Sequence, residues 1–526
     1  MVARSPWSLQ YPRQPLHTFL HDAAERDPTR VAVRFEGEEL TFADLDARGI
    51  AFANAFAQLG VGVGDRVVLA TGNRPEWITV LHGLSRIGAA AVLVNSSWRS
   101  LELAHALALT GGAAVVADAV VIEQLDRSDV TLPARRISLD DDGPRGWTPA
   151  SAVLDGASER PPPPLDVDLS RLEAVLPFSS GTTGLPKAVR HTHASIVSSV
   201  VQRVKVYGMS DDDRLLLFLP MFSAFGPLVT LATFAASASL RLFRRFDAQA
   251  VLANLQDERI TITFGSAGVA VALREQPNLE DFDLSALRYM IWGATPVVHD
   301  VAEEVTRRAG IRWLVAYACT ETGIANNPVE QPDRWRLDTP GLPLPDTELR
   351  VVDLDTGADV ADGAQGEILV RGPGTMLGYL PESADADAFT SDGWLRTGDI
   401  GWLEPEGWVH VTDRAKEMIK VSGFQVAPAE LEQLLFTHPA VADCAVYGVP
   451  DARTGEAPKA AVVRAAGVDV NGAELLAYVA DRLARYKRLR EVVFVDEIPR
   501  NPGGKVLRRV LRDADLAAPT ATSTPA

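Results

Sequence analysis

Pro177 to Val189 reads PFSSGTTGLPKAV, a run of hydroxyl residues and glycines that closes on a lysine. Backbone N–H groups and the hydroxyls of Ser179, Ser180, Thr182 and Thr183 can wrap phosphate oxygens, with Gly181 and Gly184 supplying flexibility and Lys187 a cation. Apolar strands flank the loop, a position that a merely solvated Ser/Gly stretch would not explain. It is not a Walker loop, because no Gly-Lys-Ser/Thr is present. Other patterns carry less. His191 and His193 in RHTH have no acidic or cysteine ligands beside them and read as structural. GSAG at 265–268 lacks the spacing of a nucleophile elbow. Nothing near Cys319 would activate it as a nucleophile.

The elements that must position this loop come next. The 526 residues exceed what one hydrophobic core organises, so two or more domains are expected. An apolar fraction of 47% with 23% charged residues describes a folded chain. Lys plus Arg total 51 against 69 Asp plus Glu, a net charge of −18, so there is no general attraction for nucleic acid or anionic lipid. Any polyanion must be held by local cations. LTFADLDARGIAFANAFAQL predicts a helix introduced by Thr41, with Asp44 placed for a capping box. DRVVLAT and AAAVLVN predict buried strands with EWITVLHGLSRIG as the helix between them, a βαβ rhythm that implies a parallel sheet covered on both faces.

Leu215 to Leu240 holds no charge and meets the length of a membrane span. Pro220, Gly226 and Pro227 interrupt it, so it reads as a buried strand–loop–helix. Ser138 to Ser170, with DDDGP and PPPP, reads as a surface connection, and Thr347 to Val411 as short alternating strands with Gly turns. PAELEQLLFTHP and AELLAYVADRLARY predict helices around the strand DCAVYGVP, and the chain beyond about Asp513 predicts a disordered tail. Two cysteines make no disulfide framework, and the N-terminus has no secretory apolar stretch, so the expected setting is cytoplasmic.

SSGTTGLPK resembles the signature of the adenylate-forming superfamily: acyl-CoA synthetases, firefly luciferase and peptide-synthetase adenylation domains. FLPMF (218–222), GATP (293–296), YACTETG (317–323), WLRTGD (394–399), VTDRAKEMIKVSGFQVAPAELE (411–432) and PRNPGGKVLRR (499–509) agree in order and at similar separations. The likeness runs from about Leu16 to Arg509 and is closest in type to acyl-CoA or coumarate–CoA ligases. It implies an α/β fold: a large N-terminal domain (1–413) of two sheet-and-helix subdomains plus a small β-rich one, then a small mobile α/β C-terminal domain (414–526). It also implies ATP, Mg²⁺ and CoA as cofactors and a small-molecule carboxylic acid as substrate.

By the same resemblance Tyr317 stacks on adenine, Thr320 touches the α-phosphate and Glu321 contacts the metal. Gly293, Ala294 and Thr295 line the nucleotide, Asp399 accepts the ribose hydroxyls and Arg414 touches the ribose. Lys505 is the implied catalytic lysine of adenylation, where a cation offsets charge on the α-phosphate. A hinge at Asp413 to Lys416 would then swing Lys505 out and bring in Lys420 and Gly423 for transfer to CoA, Gly423 letting the pantetheine pass close. Arg485 and Lys487 are candidates for the CoA phosphates, the alternative being a solvated helix face.

The chain departs from the family around the acyl carboxylate. Phe222 is followed by Ser223 where coumarate–CoA ligases and luciferases carry histidine, Ala318 replaces a glycine, and Trp292 stands where a small residue is common. Small residues near Phe225, Gly226, Thr230 and Thr233 predict a roomy acid pocket. Three alternatives follow. Adenylation is weakened, leaving an enzyme that mainly thioesterifies a supplied acyl-AMP; the acceptor is a carrier protein, against which no carrier domain follows residue 509; or the chain binds nucleotide without catalysis, against which Lys505, Glu321 and Asp399 are all present.

Overall fold

The computed structural model describes residues 2–127, 130–141, 143–179, 186–421, 424–451, 453–483, 485–501 and 504–517. Strands that read as unbroken apolar runs do so because both of their faces are covered. In Arg66–Ala70, Val67 and Leu69 enter a central core while Val68 and Ala70 enter an outer one. Arg214–Leu217 alternates likewise, with Leu215 and Leu217 central and Leu216 in a second outer core.

These strands belong to two large, mostly parallel sheets. One runs in the order Gly378–Leu380, Lys187–Thr192, Glu173–Ser179, Ala90–Leu93, Arg66–Ala70, Ala114–Ala117, Arg135–Ser138, Thr148–Pro149. The other has Arg214–Leu217, Ile262–Gly265, Tyr289–Trp292 and Trp313–Cys319 in parallel at its centre. Helices Phe42–Gln58, Pro75–Arg86, His193–Val206 and Phe225–Ala235 fill the central core between them, with Phe42, Phe56, Trp77 and Phe234 fully buried. The Thr41 hydroxyl accepts from Asp44 N at 3.1 Å and Asp44 accepts from Thr41 N at 2.9 Å, which is the expected capping box.

An antiparallel sheet of Val2–Arg4, Glu348–Val352, Gly366–Arg371, Leu395–Leu403 and Val409–Arg414 forms the β-rich part. The smaller lobe packs helices Pro428–Phe436 and Gly472–Ala480 on a sheet containing Val441–Asp451 and Gly455–Arg464. It touches the larger lobe through Ala415 N, which donates to the Gly398 carbonyl at 2.9 Å, and through Phe436 against the outer core of Trp292 and Trp313.

The uncharged stretch after Leu215 is a strand, a loop and the helix Phe225–Ala235, and among the described residues no helix is long and apolar enough to cross a membrane. Two expectations need correction. The Ser138–Ser170 connection is not all surface: Trp147 is buried and Ala150–Leu154 is helical. The chain beyond Asp513 stays helical as far as Ala517, where Asp515 pairs with buried Lys459 at 2.7 Å beside Glu491 at 3.0 Å, and residues 518–526 lie outside the described residues.

Two histidines are buried in the helices Pro75–Arg86 and His193–Val206. His82 is 1% exposed and His193 0%, and burial lowers their pKa values to about 3 and about 4. A proton therefore binds the unfolded chain more tightly, so the stability they permit is present above pH 6.5 and lost as pH falls toward those values. Each should remove about 1.4 kcal/mol per pH unit in that window. Urea midpoints at pH 7 and pH 5 should show this loss, and His82→Leu should flatten it; an unchanged slope would contradict the assignment.

Candidate functional site

Open α/β sheets place ligands beyond the carboxyl ends of their strands. Here the parallel strand Trp313–Cys319 ends against the antiparallel sheet that carries Asp399, through Tyr317. Cys319 pairs with Thr322, so Thr320 and Glu321 form the tip of a hairpin. Three contacts fix that tip. His191 Nε2 donates to the Thr320 carbonyl at 2.8 Å, Met376 N donates to the Glu321 carbonyl at 2.9 Å, and the Tyr379 hydroxyl donates to Glu321 Oε1 at 2.7 Å.

Tyr379 also draws in the phosphate-loop lysine. Its strand pairs with Lys187–Thr192, Val189 opposite Tyr379, and Lys187 Nζ lies 5.3 Å from the ring centroid. Burial, with Glu321 beside it, pushes the phenol's pKa well up, so it stays a neutral donor. Sequence reading missed Tyr379, whose one local signal is an aromatic after Gly378.

Asp399 is 3% exposed and held from two sides, by the Tyr317 hydroxyl at 2.5 Å and by Arg414 Nε at 2.9 Å. Strand register sets the second contact, since Asp399 lies opposite Arg414. Burial raises the carboxyl's pKa and Arg414 opposes that rise. Lys505 joins from the smaller lobe. Its N–H donates to Asn501 Oδ1 at 2.9 Å, Nζ lies 3.7 Å from Glu417, and a Cβ on Gly504 would stand 3.1 Å from Ser266 Oγ. Burial lowers the lysine's pKa, with Arg414 adding to the effect and Glu417 and Asp399 opposing it.

Gly293, Ala294 and Thr295 form a tight turn in which Thr295 N donates to the Gly293 carbonyl at 2.8 Å. Ala294 has φ +65°, a left-handed conformation that is strained for a side chain with a Cβ. Thr295 Oγ1 accepts from Ala267 N at 2.9 Å, tying the turn to the helix that begins beside Ser266 and Gly504.

A family profile described as AMP-binding enzyme matches residues 20–380, and its C-terminal domain profile matches residues 430–505. This chain belongs to the AMP-binding enzyme family. A 4-coumarate–CoA ligase 3 of Oryza sativa subsp. japonica is 34% identical over 500 residues, covering 92% of this chain and 88% of the relative. A feruloyl-CoA synthase of an Amycolatopsis species is 34% identical over 491 residues, covering 93% and 96%. An anthranilate CoA ligase solved with anthranoyl-AMP superposes with a TM-score of 0.89 at 25% identity, covering 97% and 98%. These relatives set the chain among the family's AMP-forming acid–CoA ligases.

In this AMP-binding enzyme the structure gathers Tyr317, Glu321, Arg414 and Lys505 about Asp399, with Thr320 beside Glu321 at the hairpin tip and Lys187 linked to Glu321 through Tyr379. Ser180, Gly181, Thr182, Thr183, Gly184 and Gly423 lie outside the described residues. Lys420 is elsewhere, on an open cavity of about 620 Å³ lined with Ala415, Lys416, Met418, Gly455 and Glu456. Asp413 is half-buried and accepts from Ala429 N at 3.0 Å, and desolvation raises its pKa to about 6. Lys487 is bound to both oxygens of Glu430 at 2.7 Å, not left free for a phosphate.

The expected roomy pocket needs correction. Trp292 does not line it, being fully buried edge-to-face on Trp313. A Cβ on Gly226 would overlap the Met221 backbone, so this glycine serves close packing. Thr230 and Thr233 are buried and donate to carbonyls of their own helix. Ser223 Oγ donates to the Pro220 carbonyl at 2.8 Å and accepts from Gly226 N at 3.4 Å, closing its own turn. Phe222 and Phe225 are partly exposed, Phe225 edge-to-face on Phe264 at 5.2 Å, and Ala318 is exposed on its strand.

Tyr379→Phe removes the phenol from Glu321. A hydrogen bond to a charged group contributes about 1.5–3 kcal/mol, so KM for MgATP should rise roughly ten-fold or more. Steady-state kinetics against ATP would read it, and an unchanged KM would remove Tyr379 from the site.

Proposed function

We propose that this chain activates an aromatic carboxylic acid with ATP and passes the acyl group to CoA. Its relatives' printed substrates are coumarate, ferulate and anthranilate, and the partly exposed Phe225 against Phe264 supplies an aromatic wall. The observation that carries the reading is Lys505, brought by the smaller lobe beside the Tyr317–Asp399–Arg414 group.

In the first step a carboxylate oxygen forms a bond to the α-phosphorus while the bond to pyrophosphate breaks. The acid is already ionised at neutral pH, so no general base is required. Lys505 faces the charge that grows on the α-phosphate, Asp399 takes the ribose hydroxyls, and Thr320 and Lys187 take phosphate oxygens. One oxygen of Glu321 is engaged by Tyr379 and the other makes no hydrogen bond among the described residues. With ATP phosphates this is the donor set that Mg²⁺ takes, and the ion would supply charge neutralisation there. In the second step the CoA sulfur attacks the acyl carbon and AMP leaves.

The domain limits 1–413 and 414–526, with a hinge at Asp413 to Lys416, give Lys420 its part. Lys505 lies near Asp399 and Arg414 while Lys420 is on the open cavity, which supports reading this arrangement as an adenylating pose. Rotation would exchange them. One observation favours a second reading: Ser223 spends its hydroxyl on its own turn and offers no cation to the acid, which would slow the first step.

Lys505→Ala should lower acid-dependent pyrophosphate release by about 10²–10³-fold, as loss of one charge-stabilising donor does, and leave thioester formation from supplied acyl-AMP within a few-fold. Lys420→Ala should show the reverse split, and equal loss in both steps would defeat the exchange. Comparing free acid plus ATP with acyl-AMP in the wild type separates the readings: similar rates support the full ligase, and product from acyl-AMP alone supports the second.

A further inference from the structure

Arg203 lies in the helix His193–Val206 and is 4% exposed. Its Nη1 donates to the Ser199 carbonyl at 3.0 Å, its Nε has no partner, and no carboxylate pairs with it among the described residues. Tyr207 is hydrogen-bonded to it through its side chain, and burial raises that phenol's pKa, so this partner is neutral and brings no counter-charge. A guanidinium removed from water without a counter-charge is strongly disfavoured, and an anion delivered to it relieves that penalty.

The surroundings indicate what would deliver the anion. The guanidinium carbon is 6.0 Å from the centroid of Phe225, which is partly exposed and, on the proposed function, belongs to the acid's aromatic wall. Its Nη2 is 3.6 Å from where a Cβ on Gly323 would stand, two residues beyond the tip residue Glu321. A Cβ there would overlap Leu344 at 2.7 Å and make only ordinary contact with the guanidinium, so this buried glycine packs directly beside Arg203. On the other side the helix is closed: a Cβ on Gly374 would overlap Ser199 Oγ. Arg203 is therefore covered on one side and approached on the other by Phe225 and by the strand that follows Glu321.

We propose that Arg203 binds a second anionic group on the acid, remote from the carboxylate that is activated, so that the preferred substrates are aromatic dicarboxylic acids. This rests on the acid–CoA ligase reading above. A carboxylate fits the planar fork of a guanidinium with two parallel hydrogen bonds. A monoacid of the same shape leaves the cation unpaired, so discrimination comes from that penalty as much as from attraction.

The test uses the full-length chain with ATP and CoA, reading pyrophosphate release for matched pairs: benzoate and terephthalate, cinnamate and 4-carboxycinnamate, phenylacetate and 1,4-phenylenediacetate. In at least one pair the diacid should have a kcat/KM at least ten-fold above the monoacid, mainly through KM. Arg203→Met should abolish that preference, and Arg203→Lys should restore part of it. The diacid should raise the thermal midpoint of the wild type and not of Arg203→Met. Without ligand, Arg203→Met should melt no lower than the wild type, because an uncompensated charge has gone.

Monoacids used equally well or better in every pair would overturn the proposal. So would a diacid preference that survives Arg203→Met, or a midpoint several degrees lower in that variant, which marks a structural cation. Failure of every acid to release pyrophosphate would sink the ligase reading as well, whereas turnover of monoacids independent of Arg203 would sink this inference alone.

Discussion

The cleft depends on one buried carboxylate. Asp399 is almost wholly removed from water, so its charge is tolerable only while Tyr317 and Arg414 hold it. Tyr317 comes from the end of a parallel strand in the large sheet, Asp399 from the antiparallel sheet, and Arg414 from the last residue of that sheet before the smaller lobe. One ionic contact thus ties three parts of the chain to a common point. Beside it Glu321 is fixed through backbone and side chain by His191 on its neighbour, Met376 and Tyr379.

The overall charge gives this arrangement its character. A chain of net charge −18 repels ATP and CoA at a distance, so attraction must be local. On the proposed function Lys187, Arg414 and Lys505 would provide it, each held near a carboxylate or an aromatic ring that orients it. Because Lys505 comes from the smaller lobe, the number of cations at the cleft depends on how the lobes meet. That couples electrostatics to lobe arrangement.

Packing decided several positions whose chemistry looked open. The helix Phe225–Ala235 lies between two sheets, and its small residues let it approach Met221 and its neighbours. Trp292 occupies the outer core with Trp313 because successive strand residues alternate between faces. Arg203 is the opposite case, a charged residue that packing alone does not account for.

The chain's linear order already determined the fold class, the two-sided strands, the Thr41 cap and the segments that meet at the cleft, because period, capping and motif spacing are local properties. Tyr317, Glu321, Asp399 and Lys505 were readable since each sits within a run whose types recur together. Tyr379 and Arg203 were not, because one matters through a neighbour 58 residues away and the other through a counter-charge it lacks, and neither relation is written in adjacent residues. Nor could composition tell a small residue that opens a pocket from one that closes a gap: Gly226 and Thr233 acquired their meaning when the helix met Met221 and its own carbonyls. Burial and contact belong to the folded chain, and they decided which side chains face the ligand.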